Sequence, residues 1–105
     1  MKTFFGGIFI EKEKLQEAGI YHPIKLEYYK HINEDYMLDK NKAKFGIGII
    51  KTEYIKEDTK IEEKNIKYLT NDEDKANDIL RLFKKNEVTP ISAEDVIQDY
   101  AKSIL

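Results

Sequence analysis

The sequence predicts an α+β domain: an antiparallel sheet of three or four strands followed by two C-terminal helices packed on one face. Residues 24–68 hold short apolar runs of period two, and residues 70–105 hold two apolar stripes of helical period. A helix-start signal precedes each stripe. At 105 residues the chain has the length of a single domain with one modest core. We divide it into a variable N-terminal strand and short helical turn (1–20), the sheet (24–68) and the helix pair (70–105).

Thr3 to Ile10 is rich in Phe and Ile and reads as a strand, with Gly6 and Gly7 marking a bulge or a close backbone approach. The alternative is an aggregation-prone terminus that a partner covers. Glu11 to Ala18 is charged, and Gly19 then stops a short helical turn. After Pro23, Ile24, Leu26, Tyr28 and Ile32 alternate with Lys25, Glu27, Tyr29 and His31, the period of a strand with one buried face. Asn33 to Lys44 is a polar, lysine-rich loop whose triplet Tyr36, Met37, Leu38 is expected to dock on the core.

The next strand directs Phe45, Ile47 and Ile49 one way and Gly46, Gly48 and Ile50 the other, and runs to Ile55. A turn over Lys56 to Thr59 leads to a strand over Lys60 to Tyr68, and this hairpin is expected at the centre of the sheet. Thr70 and Glu73 then have capping-box spacing, and Ala76, Ile79, Leu80 and Phe83 follow on one face of a helix that Asn86 ends in a left-handed conformation. Ser92 with Asp95 is expected to cap the second helix, and Ile91 with Val96 to staple its start. Its inward stripe is Ala93, Val96, Ile97, Tyr100, Ala101 and Ile104, and Glu94, Asp95, Gln98, Asp99 and Lys102 face water.

The strand Lys44 to Ile49, the run Asn86 to Ile91, and the pairs Asp95-Val96 and Asp99-Tyr100 resemble a small family from clostridia and related low-GC Gram-positive bacteria, catalogued only as a domain of unknown function. The resemblance spans residues 24–105 and implies a small sheet followed by two helices, with no assigned activity. The stretch through Ile20 departs from that pattern.

The chemistry-bearing residues point away from catalysis. Without cysteine, disulfides, thiolate nucleophiles and cysteine-rich zinc sites are absent. His22 and His31 have no metal-binding spacing, and although His31, Glu34 and Asp35 lie close in sequence, no second cluster completes a coordination shell. Ser92 and Ser103 are the only serines, one a cap and the other in the last helical turn, so a triad lacks a nucleophile. Adjacent carboxylates such as Glu62 and Glu63 point apart and are read as solvated. The glycine pairs lack the lysine and helix start of a phosphate loop. No catalytic, cofactor or metal residue is assigned.

Basic and acidic residues number 18 and 20, so the net charge of −2 draws in neither nucleic acid nor an anionic membrane. Arg81 is the only arginine, which disfavours base readout, and the acidic outer face of the last helix opposes a helix-turn-helix pose. Met1 to Ile10 is too short and interrupted for a signal sequence, and no apolar run is long enough to span a membrane, so the expected location is cytoplasmic. Seven tyrosines suit a protein interface.

The expected function is therefore a non-enzymatic protein-binding or regulatory module. It would act as a homodimer or on an unidentified protein, in the manner of an inhibitor or accessory protein of a mobile element. The candidate interaction surface is Lys25, Tyr29 and His31 on one strand face, Lys40, Lys42 and Lys44 in the adjoining loop, and Tyr54. The alternatives are a DNA-binding accessory protein using that face and loop, and an unrecognised enzyme with a carboxylate- or His31-lined pocket.

Overall fold

In the computed structural model the backbone of residues 1–37 and 42–104 is described, with the side chains of all of these except 36, 37, 103 and 104. Four strands, β1 (Lys2–Ile10), β2 (Ile24–Ile32), β3 (Phe45–Ile55) and β4 (Asp58–Thr70), form one antiparallel sheet in the order β1-β2-β3-β4. The centre is thus β2 and β3. The β3–β4 hairpin expected there is displaced to one side, because β1 supplies the opposite edge and β4 becomes an edge itself. The N-terminal segment set apart in the sequence is a full member of the sheet.

The connections follow local chemistry. A short helix, α1 (Lys12–Leu15), and a 3₁₀ turn (Gln16–Ala18) end at Gly19, whose φ of 78° is the left-handed conformation that a Cβ disfavours. A second 3₁₀ turn (Glu34–Met37) opens the loop after β2. The expected docking of Tyr36, Met37 and Leu38 lies outside the described side chains and backbone. The β3–β4 turn is tighter than expected, with only Lys56 and Glu57 between the strands and Glu57 at φ 69°.

Helices α2 (Glu73–Lys85) and α3 (Ala93–Ile104) cover one sheet face. In α2, Ala76, Ile79, Leu80 and Phe83 are all buried, against Leu26, Tyr28, Ile47 and Ile49 of the central strands. The Tyr28 hydroxyl donates to the Val88 carbonyl at 2.9 Å inside this core, which removes the cost of burying a phenol without a partner. Burial, helped by the Glu87 carboxylate, holds its pKa well above the ordinary tyrosine value.

The helix ends differ in detail from the sequence expectation. Asp72 caps α2, accepting from the Asp74 amide at 3.0 Å, while Thr70 instead accepts from the Asp72 amide. The box was misplaced because neighbouring residues of the Thr70 to Asp74 stretch compete for the same amides. Asn86 is not left-handed; Glu87 takes that role at φ 52°, with Val88 N donating to Phe83 O at 2.9 Å and Glu87 N to Lys84 O at 3.4 Å, a Schellman closure. The reciprocal box before α3 joins Thr89 and Ser92 around a 3₁₀ turn (Pro90–Ser92). Ile91 is 86% exposed and staples nothing; buried Val88 and Ala93 hold the staple positions instead.

From Ala93 to Tyr100 the α3 stripe faces inward as expected, but Val96, Ile97 and Tyr100 are only half-buried, and Ile104 lies outside the described side chains. The molecule is therefore a slab of 46 × 30 × 18 Å with helices on one side of the sheet. Its radius of gyration of 15.1 Å exceeds the ~13 Å expected of a compact chain of this length.

Candidate interaction face

The other sheet face carries neither of the long helices, and pairing registers place its side chains in rows. One row is Phe9, Lys25, Thr52, Ile61; the next is Gly7, Glu27, Ile50, Glu63; then Phe4, Tyr29, Gly48, Asn65; and last Lys2, His31, Gly46. A bulge between Phe4 and Gly6 makes this arrangement possible. The extra residue, Phe5, turns to the helix side with Ile8, so that Phe4 and Phe9 both reach the open face despite their odd spacing.

Aromatic pairs stand at two corners. Phe4 and Tyr29 meet edge to face with centroids 5.5 Å apart, and Phe9 and Tyr54 lie 6.2 Å apart. Phe4 is 56%, Phe9 57% and Ile61 63% exposed, which is unusual for large apolar side chains on one surface.

Polar groups between them are tied together. Tyr29 Oη donates to Glu27 at 3.0 Å, and Lys25 lies 3.5 Å from the same carboxylate. Glu27 and then Tyr54 raise the Lys25 pKa, and burial raises that of Tyr29 with help from Glu27. At the other end His31 Nε2 and Asn65 Oδ1 are 2.9 Å apart, Asn65 donates to Glu63 at 2.9 Å, and Lys2 pairs with Glu63 at 3.3 Å while its ammonium stands 4.5 Å above the Tyr29 ring. The Asn65 amide, with Lys2, holds the Glu63 carboxyl below the ordinary glutamate value. Cations and anions on this face nearly balance.

Of the residues singled out in the sequence, Lys25, Tyr29, His31 and Tyr54 do share this face. Lys42 pairs with Asp35 at 3.2 Å beside the Tyr68 ring, the Lys44 amide donates to Asn71, and Lys40 lies outside the described residues. The Tyr68 hydroxyl first, then Lys42, lowers the Asp35 pKa. Phe4, Phe9, Ile61, Glu63 and Asn65 were missed. The signal for the last three was the period of β4, and that for Phe4 and Phe9 was hidden by the bulge.

Chemistry is sparse elsewhere. His22 and His31 flank opposite ends of β2 and do not meet; His22 Nε2 is buried, 3.6 Å from Glu53 and without a hydrogen bond. Among the described residues no three His, Asp or Glu side chains gather into a metal-binding group, and no helix is long and apolar enough to cross a membrane. Grooves among the described residues are shallow; one is lined by Glu62, Glu63, Lys64, Pro90, Ile91 and Glu94, and another by Phe5, Ile8, Arg81, Lys84 and Lys85.

The model of a family of unknown function, DUF6514, matches residues 7–103. The chain belongs to this family. The DUF6514 match begins within β1 and ends in the last turn of α3, so it takes in the second half of β1, the other three strands and α2 with nearly all of α3, more than the resemblance read from residue 24 onward. No curated protein and no solved structure matches the chain.

Proposed function

We propose that the protein is a non-enzymatic binding module that works by protein contact, and that its uncovered sheet face receives a second copy of the chain. The observation that carries this reading is the exposure of Phe4, Phe9 and Ile61 on one face of the sheet. Strand spacing and rise give that face roughly 20 × 30 Å, on the scale of the ~800 Å² per partner that a stable interface buries.

Charge supports a like partner. Lys2 and Lys25 are balanced by Glu63 and Glu27, so two copies related by a two-fold axis can meet without net repulsion. The same pairing weighs against duplex DNA, which needs unneutralised cations along its path. A role as a regulator or inhibitor in the cytoplasm would follow from such docking.

Sedimentation velocity tests the reading. The wild-type chain should show a concentration-dependent monomer–dimer equilibrium, and Tyr54→Lys with Ile61→Lys, both exposed and distant from the core, should leave a folded monomer. A wild-type chain monomeric at about millimolar concentration would remove the proposal.

A further inference from the structure

β1 is an edge strand, and from Thr3 to Ile10 it carries no charged residue. No described residue pairs with its outer edge. Proteins usually blunt an exposed edge with charges, proline or a cover, since open N–H and C=O groups accept any passing strand. The opposite edge obeys this rule: β4 carries Lys60, Glu62, Glu63, Lys64 and Lys67. On β1 the bulge at Phe5 interrupts the edge, but regular pairing resumes from Gly6 to Ile10.

A groove of about 490 Å³ flanks this edge on the helix side. Phe5 and Ile8 form its apolar floor, and Arg81, Lys84 and Lys85 of α2 form a basic rim. Gly6 brings the rim to the strand: a Cβ there would lie 3.3 Å from Lys84 Cδ and Nζ, so the ammonium rests against the β1 backbone. Arg81 pairs with Asp78 at 2.7 Å, while Lys84 and Lys85 have no carboxylate partner among the described residues.

We infer that the β1 edge takes up an extended acidic segment of a partner protein as a fifth strand. Backbone groups of that segment continue the ladder, and the side chains on its helix-facing side, every second residue, are apolar where they meet Phe5 and Ile8 and acidic where they meet Lys84, Lys85 and Arg81. A second copy fits this edge poorly. Antiparallel β1–β1 pairing requires a two-fold axis perpendicular to the sheet, which keeps both helix layers on one side and sets one basic rim against the other. β1 has no acid to offer in return. The inference extends the protein-binding reading but uses a surface separate from the open face.

Fluorescence anisotropy of the full chain tests it, with a labelled peptide of about ten residues that carries threonine at every second position and valine and glutamate in turn at the positions between, and with lysine in place of glutamate as control. The acidic peptide should bind at least roughly tenfold more tightly than the control, and Lys84→Glu with Lys85→Glu, both exposed, should weaken it by a similar factor. Amide shifts on binding should map to residues 3–10. Equal affinity for the two peptides, no binding at about 1 mM, or shifts confined to the open face would each overturn the inference. So would concentration-dependent protection of the β1 amides without peptide in the Tyr54→Lys, Ile61→Lys chain, whose open face no longer pairs, which would assign the edge to a second copy. The Tyr54→Lys, Ile61→Lys chain should bind the acidic peptide normally, so failure of the dimer and failure of the edge site are read separately.

Discussion

Glycine has two unlike uses within three residues of β3. At Gly46 a Cβ would collide with the backbone carbonyls of Ile66 and Lys67, where the β3–β4 register shifts. At Gly48 it would meet side chains only, Asn65 Oδ1 at 2.6 Å and His31 Nε2 at 3.1 Å. Side chains can rotate and a paired backbone cannot, so Gly46→Ala should cost more than about 3 kcal/mol and Gly48→Ala less than about 1 kcal/mol. Urea unfolding of both variants checks the order. Glu87 presents the converse case, a Cβ-bearing residue at φ 52° in the Schellman closure of α2. Glu87→Gly should raise stability by about 0.5–1 kcal/mol, seen as a higher midpoint in the same titration. Strand period in the sequence put both glycines on the face opposite Phe45, Ile47 and Ile49, but which neighbour crowds each depends on a strand fifteen or more positions away.

The two long helices share an amphipathic pattern and differ in depth. Leu80 of α2 is wholly buried, whereas Ile97 of α3 is half-buried and lines shallow grooves beside Ile66 and Leu69. Leu80→Ala should therefore cost about 3–5 kcal/mol and Ile97→Ala about 1–2 kcal/mol. Native-state hydrogen exchange should show α3 amides exchanging through openings of lower free energy than those of α2. The sequence placed both stripes correctly, because a 3.6 period is local. It gave no measure of depth, since α2 lies across the central strands and α3 packs toward the β4 side.

At the scale of the whole molecule, ion pairs join elements distant in sequence. Lys2 of β1 meets Glu63 of β4, and Lys64 of β4 meets Glu94 of α3 at 2.8 Å. Asn65 and Lys2 lower the Glu63 pKa, Lys64 lowers that of Glu94, and at Glu53 the Lys51 and His22 contacts overcome the opposing effect of burial. Each folded-state value is depressed, so the unfolded chain binds more protons as pH falls. This contribution is complete above the ordinary glutamate value of 4.5 and is lost as pH drops below it. The urea midpoint should hold steady on descending to pH 5 and fall below about pH 4, and Glu63→Gln with Glu94→Gln should shrink that fall.

The sequence by itself determined the α+β class, the β2 and β3 limits and the inward stripes of both helices, because these follow from periodicity and from strong local breakers such as Gly19 and Pro23. It also placed Lys25, Tyr29 and His31 on one strand face, since alternation fixes parity within a strand, whereas the pairing of β2 with β3 brought Tyr54 to that face. Tertiary structure alone decided that β1 closes one side of the sheet and leaves its uncharged edge open. The glycine pair marked a bulge as one of two readings, and tertiary structure placed it at Phe5, which gathers Phe4 and Phe9 on the bare face. Long-range pairing sets strand order and register through contacts between residues far apart in the chain, and no local pattern encodes which of several compatible partners a strand will take.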